Sequence, residues 1–233
     1  MTDVAATPFA TLLHAYGRAE DTPAHLAALA DGDDAARAAA VQHLWSAIIH
    51  QGTPWTATPA TALVVAALIG DRRLAGPDDA GLRATLLRFL AAVAEAGQAW
   101  DDLDELVPDP AVETALDEAL RSADEDEDED GIYADEALGN ALYARAIRGC
   151  REVTPTLLET ATSSLSDPDP VVRAAAAYAA GVCCAAVRDP GRTALVAQRL
   201  AALTDDAGPD ERATVVLAMG DLGAAPRAYL TDP

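Results

Sequence analysis

Apolar residues recur along this chain with the period of an amphipathic helix, and several of these runs follow an arginine. The positions four, seven, eight and eleven residues after Arg37 are Val41, Leu44, Trp45 and Ile48. After Arg83 and Arg212 the same spacing gives Leu87, Leu90, Ala91, Val216, Met219 and Gly220. Positions with this spacing share one face of an α-helix. The pattern therefore predicts helices with one buried face, on which small residues allow close packing.

Three threonine–proline pairs predict the starts of a second set of helices. They are Thr22-Pro23, Thr58-Pro59 and Thr154-Pro155. Threonine is a good N-cap, and proline is tolerated at the first helical position because its missing N–H has no partner there. Since these helices alternate with the first set, the sequence predicts antiparallel helix pairs.

An aspartate lies six residues before the arginine in three of the first segments. The pairs are Asp31 with Arg37, Asp167 with Arg173, and Asp206 with Arg212. A fourth segment keeps Arg83 but has no aspartate at that spacing. The four arginines are 46, 90 and 39 residues apart, which fits a period near 45 with one degenerate unit. Repeats of about this length, built from helix pairs, stack into solenoids, so we expect about five units.

The segment Leu165–Gly181 has an Asp-Pro turn, then an arginine, then an alanine-rich helix, and it resembles the HEAT-repeat family, including its bacterial HEAT-like members. The resemblance covers about two thirds of the chain. It implies an all-α fold: an α-solenoid of stacked antiparallel helix pairs in one domain over residues 1–233. It also implies that turn aspartates and helix arginines pair between adjacent repeats. The scaffold residues would be Asp31, Arg37, Arg83, Asp167, Arg173, Asp206 and Arg212.

Composition and charge agree with a helical protein and exclude some functions. Hydrophobic residues make up 51% of the 233 residues, but aromatic residues only 4%, whereas sandwiches and barrels need aromatic and β-branched residues. The formal net charge is −22, and all 16 basic residues are arginines. A nucleic-acid binder needs a positive face, so we do not expect this function.

Targeting features and cysteines suggest a cytoplasmic protein that is not bound to a membrane. The N-terminal residues show no basic region followed by an apolar core, and the longest apolar stretch, Ala60–Ile69, is about half of a membrane span. Cys150, Cys183 and Cys184 do not form a disulfide framework. We expect them to be small buried residues, with a redox role for the adjacent pair as the alternative.

The negative charge is concentrated in residues 101–136, which carry 17 acidic residues and one base. We expect an acidic insertion between two ordered blocks, 1–100 and 137–233, with one short helix over Ala111–Ala123. The run that follows is expected to be a solvated loop, because like charges repel. It consists of Asp124, Glu125, Asp126, Glu127, Asp128, Glu129 and Asp130.

Two functional interpretations of this acidic run stay open beside the solvated loop. It could bind a basic partner, because a clustered negative patch speeds the encounter with a positive surface. It also matches the start of an EF-hand loop from Asp126 to Gly131. The twelfth position is Ala137, however, where calcium binding needs a bidentate carboxylate.

Few residues suggest chemistry of their own. All four histidines, His14, His25, His43 and His50, lie in the first fifty residues, but none has an acidic neighbour in sequence. Some HEAT-repeat proteins are di-iron hydroxylases with His-Glu ligand pairs, and the resemblance fails at these ligands. We therefore predict no metal, no cofactor and no catalytic residue.

A possible binding rim lies within the segment Trp45–Trp55. Trp55, His50 and Gln51 could bind a partner from an exposed rim, because aromatic anchors dominate binding energy. The alternative is that Trp45 is a core residue and Trp55 packs over the turn.

These observations predict a non-enzymatic helical scaffold that binds a protein or peptide, with a basic partner as one option. One alternative is an immunity or inhibitor protein that neutralises a basic toxin or nuclease through the acidic run. Another is a HEAT-like lyase or a metal-dependent enzyme. The choice of a scaffold rests on fold analogy, since solenoids present extended binding surfaces.

Overall fold

The computed structural model describes residues 9–99, 109–122, 132, 134–205 and 207–223, and it confirms a mostly helical protein. Two short hairpins are β1 (Leu13–His14) with β2 (Gly17–Arg18), and β3 (Ile49–His50) with β4 (Thr53–Pro54). Over the described residues, the α-helices are α1 (Thr22–Asp31), α2 (Asp34–His43), α3 (Ala57–Ile69), α4 (Ala80–Ala96), α5 (Pro110–Ser122), α6 (Glu136–Ser164), α7 (Pro170–Val187), α8 (Pro190–Leu203) and α9 (Pro209–Asp221).

Two of the three threonine–proline pairs lie at helix starts, and the third prediction is wrong. Thr22 begins α1, and Thr58 lies in the first turn of α3. Thr154 and Pro155 instead lie inside the 29-residue helix α6. Proline removes one backbone hydrogen bond from a helix interior, but apolar residues that are buried on both sides of it continue the helix. Burial therefore overrides the local start signal.

Trp45 is not a core residue, contrary to the prediction from spacing. It is 39% exposed, whereas Leu44 and Ile48 on the same turn are buried. Residues Leu44–Ile48 form a π-helical turn at the end of α2. The buried positions Ala40, His43, Leu44, Ala47 and Ile48 keep a helical spacing through this turn, and Trp45 lies at the edge of that buried face.

The described residues group into two compact units, each built from two stretches of chain. The N-terminal unit comprises Thr2–Thr61 and Ala96–Glu152. The C-terminal unit comprises Ala62–Glu95 and Val153–Pro233. The chain passes from one unit to the other within α3, at the end of α4 and within α6.

Close packing of α7 against α9 builds much of the C-terminal unit. A Cβ atom added to Gly181 would lie 3.2 Å from the Cβ of Ala218, so glycine permits the close approach of these helices. Among the described residues, α7 is the one helix long and apolar enough to cross a membrane by length and composition. Half of the 18 residues of α7 are buried inside the protein.

The acidic segment contributes to the core of the N-terminal unit. One buried cluster contains Leu116 and Leu120 of α5, together with Ile132 and with Leu13 of β1. Glu113 of α5 accepts hydrogen bonds from two arginines of α6, Arg145 and Arg148. Burial alone would raise the pKa of Glu113, but these two hydrogen bonds lower it. The run Asp124–Asp130 and the EF-hand-like match lie outside the described residues.

The predicted scaffold arginines donate to carbonyls of the turns that precede them. Arg37 donates to the Ala30 oxygen at 3.1 Å, and Arg212 to the Ala207 oxygen at 3.3 Å. Arg173 donates to the backbone oxygens of Asp167 and Pro168, both at 2.9 Å. Its carboxylate partner is Glu211 of α9, with the closest contact at 2.5 Å.

Arg83 has the same role in the turn before α4. Its guanidinium donates to the Leu74 oxygen at 2.5 Å and to the Gly76 oxygen at 2.8 Å. It also donates to both carboxylate oxygens of Asp167, at 3.2 Å each. The turn aspartate Asp167 therefore joins an arginine 84 residues away. Asp206 lies outside the described residues.

Candidate metal centre

Three polar side chains of the N-terminal unit converge although they come from three different elements. His14 ends β1, Asp21 directly precedes α1, and His43 ends α2. One potential ligand atom from each residue lies within 4.8 Å of those of the other two. Both histidines are buried, whereas the Asp21 side chain is 55% exposed.

The hydrogen bonds of His14 define where its proton lies. Its Nδ1 accepts from the Tyr16 backbone N–H at 3.1 Å. Its Nε2 therefore carries the proton and donates to Oδ1 of Asp21 at 3.0 Å. Although Asp21 occupies the N-cap of α1, its carboxylate makes no capping bond to the helix. The carboxylate is thus directed to the histidines and not to the helix end.

His43 presents a second nitrogen to the same carboxylate. Its Nε2 lies 3.0 Å from the buried hydroxyl of Thr22. Its Nδ1 lies 3.8 Å from Oδ2 of Asp21, which is too far for a hydrogen bond. Burial lowers the pKa of His43 from 6.5 to about 4; Asp21 opposes this shift, while His25 and His14 add to it. The ring is therefore neutral at pH 7, with a lone pair available on one nitrogen.

His25 packs on this group without joining it. Its ring stacks on that of His43, with centroids 4.2 Å apart and planes 15° apart. His14 meets His43 edge-on, with centroids 5.4 Å apart. The two neighbours confine the orientation of the His43 ring from two sides.

The arrangement fits a divalent transition-metal ion. Zinc bonds of about 2.1 Å place the ligand atoms of a tetrahedral site about 3.4 Å apart. The separations of 3.0 and 3.8 Å between the imidazole nitrogens and the carboxylate oxygens bracket this value. An ion would replace the Nε2 proton of His14. A neutral His14 would then carry its proton on Nδ1, so the hydrogen bond from the Tyr16 N–H would have to open.

Thr22, His43 and Asp21 also resemble a catalytic triad. Thr22 would be the hydroxyl nucleophile, His43 the base and Asp21 the acid that orients the base. The geometry does not support this chemistry. Thr22 is fully buried, so a substrate cannot reach its hydroxyl. The distance from Nδ1 of His43 to Oδ2 of Asp21, 3.8 Å, is also longer than the hydrogen bond that such a triad needs.

The predicted binding rim lies on the second hairpin and just after it. Gln51 is exposed in the two-residue turn between β3 and β4, where Gln51 and Gly52 have φ values of 52° and 84°. His50 is half-buried, and its Nδ1 donates to the Ser46 oxygen at 2.9 Å. Trp55 is half-buried, and its backbone N–H donates to the Thr58 hydroxyl at 2.8 Å. These bonds hold His50 and Trp55 in place, and Gln51 is placed by the turn itself.

The cysteines lie in environments that suppress reactivity. Burial raises the pKa of Cys150 to about 12, and it also raises the pKa values of Cys183 and Cys184. The thiolate is the reactive form of cysteine. The structure thus favours packing over a redox role for the adjacent pair.

Comparison of the chain with protein-family models, with curated proteins and with solved structures finds no match. The expectation that no histidine would bind a metal relied on acidic neighbours in sequence. Asp21 lies 7 residues from His14 and 22 from His43, so only the fold brings them together. The available signal was the confinement of all four histidines to the first fifty residues.

Proposed function

We propose that this protein binds a divalent transition-metal ion through Nε2 of His14, Nδ1 of His43 and the carboxylate of Asp21. The observation that carries the proposal is that two buried imidazoles face one carboxylate at 3.0 and 3.8 Å. Metal-bound histidines usually donate their other N–H to an oxygen of the surrounding protein. The Thr22 hydroxyl lies at hydrogen-bond distance from Nε2 of His43 and supplies that oxygen.

The ligand types favour particular ions. Imidazole suits zinc, copper, iron and nickel, whereas magnesium and calcium prefer oxygen ligands. Two imidazoles and one carboxylate therefore favour zinc or ferrous iron over magnesium. Because His43 is neutral at pH 7, no proton has to leave this ring before an ion can bind.

Zinc is expected to bind the full-length, metal-free protein at pH 7.5 with a stoichiometry of one. Replacing Asp21 with asparagine keeps the size of the side chain but removes the charged ligand. The affinity should fall about 100-fold or more, because even the loss of a group that only supports a metal ligand costs about 10- to 100-fold. Isothermal titration calorimetry measures both values. The backbone amide resonance of Tyr16 should also shift on binding, because its bond to His14 opens.

His50→Gln is the matched control for the zinc titration. His50 belongs to the same unit, but its Nδ1 is bonded to the Ser46 oxygen and it is not one of the three ligands. The affinity of this variant should equal that of the natural chain. No zinc uptake by the natural chain, or equal losses in Asp21→Asn and His50→Gln, would refute the proposal.

A second candidate is a HEAT-like solenoid scaffold that binds a protein or peptide partner. A groove between α6 and α8 in the C-terminal unit, with a volume of about 420 Å³, favours it. On α8, Arg192, Leu195, Val196 and Arg199 share one face, and Leu195 is 49% exposed. Arg192 pairs with Glu159 of α6 at 3.6 Å, and Arg199 donates to the Thr162 oxygen at 3.3 Å. The exposed apolar centre at Leu195 is therefore the feature that suits an apolar segment of a partner. The groove is lined by Leu158, Glu159, Thr162, Ser163, Arg192, Leu195, Val196 and Arg199.

Leu195→Glu should remove the partner, because it places a negative charge in the apolar centre of the groove. The measurement is quantitative mass spectrometry of proteins captured from the native host by the natural chain and by variants. Leu217→Glu is the control, since Leu217 is exposed on α9 and does not line the groove. A partner that both variants retain, or that both lose, would count against binding in this groove.

A further inference from the structure

The proposed metal centre has three protein donors over the residues that the structure describes. Its ligand cluster consists of His14, Asp21 and His43. His25 is the nearest additional imidazole, but its ring is almost parallel to that of His43 at a centroid distance of 4.2 Å. A metal ion binds in the plane of an imidazole ring. Two parallel stacked rings therefore do not bind the same ion, and His25 is better placed to fix the orientation of His43.

The three donors leave the solvent side of the centre uncovered. The side chains of His14 and His43 are each 6% exposed, whereas that of Asp21 is 55% exposed. The imidazoles would therefore approach an ion from the interior, and the carboxylate of Asp21 would approach it from the side that solvent reaches. Tyr16, which is 66% exposed, lies beside His14 with ring centroids 6.2 Å apart.

Charge decides which ligand would complete the coordination. A divalent ion with two neutral imidazoles and one carboxylate has a local charge of +1. A fourth donor that is a small anion neutralises this charge, whereas a neutral donor does not. Zinc sites with three protein ligands keep water or substrate in the fourth position, while structural zinc sites are closed by four protein ligands.

We infer that the metal centre keeps one coordination position open to solvent and takes a small anionic ligand there, such as hydroxide or a carboxylate. This inference rests on the proposed metal binding. With an open position, the centre would exchange a ligand with the solvent. A structural metal site, which is closed by four protein ligands, does not do so. Binding would be a ligand exchange: the anion donates one lone pair to the ion, the water that held this position leaves to the solvent, and no oxidation state changes.

Cobalt(II) and azide test the open position in the full-length protein. Cobalt(II) replaces zinc in such sites, and its visible absorption bands change with the number and type of ligands. Azide added to the cobalt protein should shift these bands in a saturable way. A cobalt protein whose bands do not respond to azide would overturn the open position and leave metal binding intact. Failure to take up cobalt or zinc would overturn both proposals.

His25→Phe distinguishes a stacked neighbour from a hidden fourth ligand. Phenylalanine keeps an aromatic ring on His43 but has no ligating nitrogen. If His25 only stacks, the cobalt bands and the azide response should match those of the natural chain. If the natural chain does not respond to azide and His25→Phe gains a response, His25 is the fourth ligand and the inference is wrong.

Discussion

Replacing Arg83 with methionine is expected to lower the free energy of unfolding by about 3–5 kcal/mol, which is the usual loss when one partner of a buried ion pair is removed. The side chain is 5% exposed and makes four hydrogen bonds, two to carbonyls of its own turn and two to Asp167. Methionine keeps much of the apolar volume but has no donor. Three acceptors would lose the donors that Arg83 supplies: the Leu74 oxygen, the Gly76 oxygen and the Asp167 carboxylate. Buried polar groups without a hydrogen-bond partner lower stability.

Arg73→Met is the control for Arg83→Met. Arg73 is also bonded to an aspartate, but this partner is Asp71 in the same exposed turn. Pairs of this kind contribute about 0–1 kcal/mol. Urea unfolding followed by circular dichroism gives both values. Similar losses in the two variants would show that Arg83 does not link distant parts of the C-terminal unit.

Replacing Leu116 with alanine should cost about 2–4 kcal/mol, because a fully buried leucine would leave a cavity. Leu116 lies on α5, within the acidic segment, and packs with Leu13, Ile132 and Leu142. A segment that formed only a solvated arm would tolerate the change. The result therefore measures how far this segment belongs to the folded core.

The same exchange at Leu217 provides the comparison for Leu116→Ala. Leu217 is 70% exposed on α9, so Leu217→Ala should change stability by less than about 0.5 kcal/mol. Urea midpoints with equal slopes would show that both variants unfold as the natural chain does. A Leu116→Ala midpoint equal to that of Leu217→Ala would contradict the core assignment.

The helices were predictable because their signals are local. The apolar spacing after Arg83 and Arg212 correctly placed Leu87, Leu90 and Met219 in buried positions. The same rule failed at Trp45, which lies at the edge of the buried face and is 39% exposed. It failed again at Pro155, where buried residues on both sides carry α6 through a proline. In both cases the deciding factor is packing, which the spacing of residues does not record.

Tertiary partners were much harder to predict than the helices. Arg83 lacked an aspartate at the repeat spacing, and its partner proved to be Asp167, which the sequence paired with another unit. The candidate metal ligands showed the same difficulty. His14, Asp21 and His43 belong to a hairpin, a helix start and a helix end, so no single period relates them. The sequence could show only that histidines were concentrated near one end.

The interleaving of the two units has a consequence for how the chain folds as it leaves the ribosome. Leu13 finds its packing partners Leu116, Ile132 and Leu142 only after more than one hundred further residues have been made. The N-terminal unit can be completed once residue 152 has emerged, whereas the C-terminal unit also needs α7 and α9. The half-built core of the first unit is therefore exposed during synthesis. In this interval nascent chains are most open to chaperones and to aggregation.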